Sequence, residues 1–230
     1  MEIASTSKNR KKNTVLHKCF DDNSDSLEIG IDEAGRGPML GRVYSAAVIL
    51  PKDEGFKHEL MKDSKRFSSR KKINEVANYI KENAISWSVA YSTEQIIDEI
   101  NIRNATHRAM HEAVRNVIKN DNNDNNYHLL VDGNDFKPYI VLRNDMPTQI
   151  RHTCIEGGDN KYTSIAAASI LAKVSRDEYI EQLCENRPDL DEKYGILKNK
   201  GYGTKAHHEG ILEFGITEFH RKTFGICRNY

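Results

Sequence analysis

The period of the apolar residues changes several times along this chain, and each change marks an element. Residues 29–50 open as a short apolar strand, Ile29-Gly30-Ile31, and return as a second one, VYSAAVIL, at 43–50. Between them lie two acids, Asp32 and Glu33, and a turn, Gly35-Arg36-Gly37-Pro38. Further on, Ile73, Val76, Ala77 and Ile80 recur every three or four residues, the spacing of one helix face. Ser68 or Ser69 can cap that helix, which runs to about residue 82. Residues 84–92, AISWSVAYS, alternate as a strand does. Thr93 caps a short helix through residue 100, and a longer helix spans about 104–119 with Ala109, Met110, Ala113, Val114 and Val117 on its apolar face.

A polar stretch at 121–126, DNNDNN, reads as a surface loop. Residues 127–131 form a strand running into Asp132-Gly133, and 149–155 form another, followed by Glu156-Gly157-Gly158-Asp159. A helix follows over about 163–184, and its first turns, Ser164-Ile165-Ala166-Ala167-Ala168-Ser169, carry small residues that permit close packing on a sheet. The order is hairpin, helix, strand, helices, strand, strand, helix. It predicts an α/β domain with a mixed sheet flanked by helices. Residues 1–26 are polar and read as a flexible tail, with a basic run at 8–12 suited to a solvated tail, a nucleic-acid contact or a localisation signal. The expected division is a tail at 1–26, the α/β domain at 27–185 and a C-terminal helical extension at 186–230, richer in charge, Gly and His.

Composition narrows the function classes. The 230 residues carry 34 basic and 34 acidic side chains, so bulk charge gives no nucleic-acid signal. Acids gathered at one site would mask basic surface elsewhere. The four cysteines, Cys19, Cys154, Cys184 and Cys227, form no CxxC pair, which argues against a disulfide framework or a zinc site. No apolar run is long enough to span a membrane, and the N-terminus has no apolar signal core. A cytoplasmic monomer is the expectation by default.

The turn at 32–38 carries the most chemistry. Adjacent residues of a strand point to opposite faces, so Asp32 and Glu33 converge only where the strand ends and its pleat is released. Two neighbouring carboxylates repel unless a cation neutralises them, and hard cations such as Mg²⁺ or Mn²⁺ suit an all-oxygen set. Glycines let backbone amides approach a phosphate or sugar, and Arg36 adds a fork suited to phosphate. A solvated acidic hairpin is the plain alternative. Asp132 alone reads as a turn residue, and Asp159 alone as a helix-start acid. Together with Asp32 and Glu33 they make four acids at element ends, a set suited to two divalent ions about 4 Å apart for phosphodiester hydrolysis. His107 and His111, at helical spacing, could suggest a metal pair, but an ordinary helix surface explains them.

The run Asp32-Glu33-Ala34-Gly35-Arg36-Gly37-Pro38 resembles the signature of the type 2 ribonuclease H family, the ribonucleases HII. Other segments resemble that family's motifs in the same order: Asp63-Ser64-Lys65; Asn104-Ala105-Thr106 with Ala109-Met110; Val131-Asp132-Gly133; Gly158-Asp159 with Lys161, leading through SIAAASILAKV to Arg176-Asp177; and Lys200-Gly201-Tyr202-Gly203-Thr204 with His207. The resemblance covers about 27–224. It implies a ribonuclease H-like mixed sheet and an endonuclease that hydrolyses RNA in RNA–DNA hybrids and cuts 5′ of ribonucleotides embedded in duplex DNA. The products would carry 3′-hydroxyl and 5′-phosphate ends.

By that resemblance Asp32, Glu33, Asp132 and Asp159 are the catalytic and metal-binding acids, holding Mg²⁺ or Mn²⁺. Gly35, Arg36 and Gly37 read the ribonucleotide through its 2′-hydroxyl, the group that separates RNA from DNA. Tyr202 stacks on the adjoining deoxyribose, and Ser64, Lys65 and Lys200 contact phosphates. The chain departs from the family pattern at Gly157, where many relatives have lysine, and at Arg42, where proline is common. The stretch His220-Arg221-Lys222-Thr223-Phe224 matches its C-terminal pattern only loosely. No clear sliding-clamp peptide is visible, and no N-terminal platform domain of the ribonuclease HIII kind. The rival expectations are a nuclease of the same fold acting on another nucleic acid, and an inactive nucleic-acid-binding module.

Overall fold

A computed structural model describes residues 15–22, 24–120, 125–143 and 145–230. The basic run at 8–12 and most of the polar loop at 121–126 lie outside them. Strands β1 (Leu27–Ala34), β2 (Val43–Ile49), β3 (Ser86–Ser92) and β4 (Tyr127–Asp132) form the main sheet with β7 (Arg151–Ile155), in the order β3-β2-β1-β4-β7. β1 pairs antiparallel with β2, and β2 with β3; β1 to β4 and β4 to β7 are parallel. The mixed sheet expected from the element order is thus present.

Helices cover both faces. α1 (Arg70–Asn83) starts at Ser69, whose side chain accepts from the Lys72 amide, so Ser69 rather than Ser68 is the cap. α1 and α3 (Thr163–Asn186) pack on one face, where Ala46 and Val48 meet Ile73, Ala77, Ile80 and the Ala166-Ala167-Ala168 run. α2 (Glu94–Asn120) covers the other, where Ile29, Ile31, Ala47 and Ile49 meet Met110, Ala113, Val114 and Val117. The alternation along β1 decides this: Ile29 and Ile31 face α2, and Gly30 faces α3. A Cβ on Gly30 would lie 2.1 Å from the Ser164 carbonyl carbon, so only glycine lets α3 settle this close. Full burial of each Ile, Val or Met side chain among these contributes about 1.5–3 kcal/mol, and of each Ala less.

The two helices expected over 93–100 and 104–119 are both present, and they meet at a non-helical residue within the span Glu94–Asn120. Asn101 has φ 66° and ψ 162°, and its side chain accepts from the Asn104 amide, capping the second segment. A hairpin absent from the sequence-based expectation, β5 (Ile140–Arg143) and β6 (Met146–Gln149), precedes β7. Gln149 belongs to that hairpin, so the strand expected to begin there starts at Arg151.

The C-terminal part contains α4 (Asp189–Tyr194), α5 (Ile196–Asn199) and α6 (Lys205–Phe214). Leu190, Tyr194, Ile196 and Ile211 form a cluster with Met39 and Leu40, just beyond the central turn, and with the end of α3. The N-terminal segment is anchored from residue 15 onward. The His17 amide donates to Lys161 O at 2.7 Å, Thr163 N donates to His17 O at 3.0 Å, and the Glu28 carboxylate accepts from the amides of Phe20 and Asp21. Within 1–26, residues 15–22 are therefore tied to the start of α3 rather than free of the domain. Among the described residues, no helix is long and apolar enough to cross a membrane.

Candidate active site

β1 carries Asp32 and Glu33 past the point where its parallel neighbour stops. The β1 to β4 register ends at Ile31 opposite Val131, while pairing with β2 continues through Asp32, Glu33 and Ala34. The acids therefore sit at the end of β1, as the sequence suggested, but in residues still paired with β2 and open only on the other edge. β4 brings Asp132 to the open edge. Gly157, at φ 63°, turns the chain after β7 into a short 3-10 turn, Gly158–Asn160, that carries Asp159. The Gly158 amide donates to Asp132 Oδ1 at 2.7 Å, so the third acid is held by the segment bearing the fourth.

All four acids line one cavity of about 510 Å³. Gly35, Arg36, Gly37, Ser64, Lys65, Lys200 and Tyr202 line it too, so every site residue expected from the sequence faces the same space. Tyr202 stands beside the turn, since a Cβ on Gly37 would touch its ring at 3.4 Å. Lys200, in a left-handed conformation at φ 51°, donates to Glu181 at 3.0 Å from the rim. Ser64 Oγ shares a 3.1 Å hydrogen bond with Ser169 Oγ on α3.

The acids are held under electrostatic tension. Burial pushes Asp32 well above the ordinary carboxylate range, and the nearby charges of Glu33 and Asp132 push it further. Glu33 is raised by burial against the opposing pull of Arg36, which reaches its carboxylate at 3.3 Å. Asp159 is raised by burial and by the charges of Asp132 and Asp63. As the side chains stand, no group of three or more His, Cys, Asp or Glu among the described residues is arranged to hold a metal ion. Each acid accepts from a local donor instead: Asp32 from the Glu33 amide, Glu33 from the Arg36 guanidinium, Asp132 from Gly158 N and Asp159 from the Asn160 side chain. The donor set is nonetheless all oxygen, and a divalent cation would relieve the repulsion that raises these groups, so the residues fit a hard divalent metal.

Further lining residues were not singled out from the sequence. Ser169, Lys173, Arg176 and Asp177 form one polar stripe of α3 facing the cavity. Their signal was there to be read, as Lys173 four residues after Ser169, and Arg176 and Asp177 three and four residues after Lys173, the spacing of one helix face. Arg176 is buried and donates to Lys200 O at 2.8 Å, and its guanidinium lies 5.9 Å from the Tyr202 ring centre. The departure at Arg42 has a packing role, since its guanidinium lies 4.3 Å and 4.5 Å from the ring centres of Tyr91 and Tyr179. His107 and His111 are not placed as a metal pair. Their Nε2 atoms meet the carbonyls of Asp135 and Lys137, and both rings pack on Phe136.

Known proteins resemble this chain in sequence and in fold. The family model described as ribonuclease HII matches residues 29–227. A ribonuclease HII from Bacteroides thetaiotaomicron is 46% identical over 204 residues, covering 89% of this chain and 92% of that protein. The ribonuclease H2 structure from Pyrococcus horikoshii OT3 superimposes with a TM-score of 0.67 at 22% identity, covering 88% of this chain and 95% of that one. A Bst-RNase HIII structure in complex with Mn²⁺ superimposes with a TM-score of 0.59 at 18% identity, covering 84% and 71%.

Proposed function

Since the chain belongs to the ribonuclease HII family, whose members have ribonuclease H activity on RNA–DNA hybrids, we propose that it also cuts on the 5′ side of single ribonucleotides embedded in duplex DNA, using two divalent metal ions. The observation that carries this is the meeting of the four acids, the turn at 35–37 and Tyr202 around one cavity. The first group supplies hydrolysis and the other two supply recognition.

Asp32, Glu33, Asp132 and Asp159 would hold the metal ions, Mg²⁺ or Mn²⁺. When bound, such ions activate water and stabilise the leaving oxygen of a phosphodiester. A Mn²⁺ complex of a ribonuclease HIII with this fold is in keeping with that assignment. The chain's own residues do the rest. Amides of the turn at 35–37 meet the ribose 2′-hydroxyl at a place where no side chain intervenes. The Tyr202 ring, half exposed beside Gly37, stacks on the next deoxyribose and selects the RNA-to-DNA junction. Ser64, Lys65 and Lys200 hold flanking phosphates. Arg36, ion-paired with Glu33, ties the recognition turn to the acids. The segment at 186–230 acts as a substrate-contacting extension of the catalytic domain at 27–185, because Lys200 and Tyr202 reach the cavity from it.

The test is cleavage of a labelled DNA duplex carrying one ribonucleotide, with Mg²⁺, Mn²⁺ or EDTA, beside an all-DNA duplex and a long hybrid. A metal-dependent cut 5′ of the ribonucleotide, leaving a 3′-hydroxyl, is expected. Cleavage of long hybrids alone would remove the roles given to Tyr202 and the turn. Cleavage of the all-DNA duplex would indicate a nuclease of different specificity, and binding without any cleavage an inactive module.

A further inference from the structure

Arg221 is fully buried, and no carboxylate among the described residues forms an ion pair with it. Its guanidinium instead donates to three backbone carbonyls: Nη2 to Gly35 O at 2.6 Å, Nη1 to Arg36 O at 2.9 Å and Nε to Gly41 O at 2.7 Å. Arginine's planar fork can satisfy three acceptors in fixed directions, which lysine cannot. Burial, with Arg176 nearby, draws its pKa down to about 9, so the group is still charged at neutral pH. An unpaired buried cation is costly. Capping three carbonyls explains why a donor stands here. It does not explain why two of the carbonyls are consecutive and belong to the turn that faces the acids.

Peptide geometry supplies the connection. In a trans peptide the carbonyl of one residue and the N–H of the next point in opposite directions, and no described peptide bond is cis. With the carbonyls of Gly35 and Arg36 drawn toward Arg221, the amides of Arg36 and Gly37 point away from it. Residues 35–37 line the cavity and Arg221 does not, so it lies behind the turn. Gly35, at φ 92°, belongs to a turn whose glycines leave its peptide planes free to reorient. Something outside the turn must fix them.

We propose that Arg221 is a positioning residue for ribose recognition, holding the peptide planes of the turn at 35–37 so that the Arg36 and Gly37 amides face the substrate. Its anchorage is suited to the task. The Arg221 amide donates to Met39 O at 2.8 Å, Gly41 N donates to Phe219 O at 2.9 Å, and Met39 N donates to Gly201 O at 2.8 Å. The stretch between the turn and β2 is thereby tied on one side to Arg221 and on the other to the neighbour of Tyr202. The inference rests on assigning the turn to the 2′-hydroxyl.

The test measures binding in EDTA, where no turnover occurs, to a duplex with one ribonucleotide and to the matching all-DNA duplex. Wild type, Arg221→Gln, Arg221→Lys and Ile211→Ala are compared. Ile211→Ala perturbs the same C-terminal cluster without touching the turn. Wild type and Ile211→Ala should prefer the ribonucleotide duplex equally. Arg221→Gln should lose that preference by about tenfold or more while keeping its affinity for all-DNA duplex, because a misaimed amide no longer meets the hydroxyl. Arg221→Lys should fall between, and carries the test if the glutamine variant does not fold. A preference retained in both Arg221 variants, or lost equally in Ile211→Ala, overturns the inference. A wild type without any preference overturns instead the assignment of the turn.

Discussion

Two buried histidines offer a prediction whose magnitude can be worked from the structure. His220 Nδ1 accepts from the Thr217 amide at 2.9 Å, so that nitrogen carries no proton. Its Nε2 lies 3.1 Å from His207 Nε2 and must therefore donate the proton between them. His207 Nε2 accepts it, and His207 Nδ1 donates onward to Tyr202 O at 3.0 Å. The chain works only if both rings are neutral and each holds a single tautomer. An added proton on either ring would set two donors against each other. Burial lowers both rings, and with His207 beside it His220 falls from 6.5 to about 4.

The unfolded chain thus binds a proton at His220 below pH 6.5, and the folded chain resists doing so until about pH 4. Stability from this source is complete above pH 6.5 and is lost as pH falls through that window. The difference corresponds to about 3 kcal/mol, of which about 1.4 kcal/mol is gone by pH 5.5. NMR titration with ¹⁵N-labelled histidine should show His220 protonated at Nε2 and His207 at Nδ1, with His220 not titrating above pH 5.5 and His207 titrating below its ordinary value. Urea unfolding should show stability falling between pH 7 and pH 5. A His220 resonance titrating near 6.5, or the opposite tautomer on either ring, would refute the assignment.

Asp32→Asn should abolish turnover yet leave the fold intact, and should raise stability by about 1 kcal/mol by removing a buried charge repelled by Glu33 and Asp132; activity assays and thermal melts check both halves. Gly30→Ala should cost about 3 kcal/mol or more in urea unfolding, because the new methyl would meet the backbone of Ser164 rather than a side chain able to move. Tyr202→Ala should reduce cutting at a single ribonucleotide by about tenfold or more while leaving the melting temperature within about 1 °C, since the ring is 49% exposed and its loss opens no core cavity. Raising salt should weaken duplex binding by the wild type steeply, with a log–log slope set by the number of phosphates contacted.

Much of the site could be read from the chain because its parts are short and contiguous. The acids, the glycine turn and Gly158-Asp159 each occupy a few consecutive residues, and α1 and the second segment of α2 showed regular apolar spacing. The hairpin β5 and β6 was missed for a physical reason: Ile140, Leu142 and Met146 are exposed, so burial imposes no clear period on it. The break at Asn101 fell where expected, in the gap between two periodic segments. The polar stripe on α3 was present as a spacing and became legible only when one face of that helix was seen to line the cavity.

By itself the sequence determined most of the elements, the mixed sheet and a set of carboxylates chemically suited to a cation, because these depend on local propensity and on side-chain chemistry. Only the tertiary structure decided which atoms act together. Asp132 accepts a hydrogen bond from the amide of Gly158, the chain neighbour of Asp159 and 26 positions away. Arg221 reaches carbonyls 180 to 186 positions away along the chain, and His207 and His220 adopt one tautomeric chain only when folded against each other. Directional contacts of this kind carry no periodic trace, since they are fixed by the close packing of a single core and not by any run of neighbouring residues.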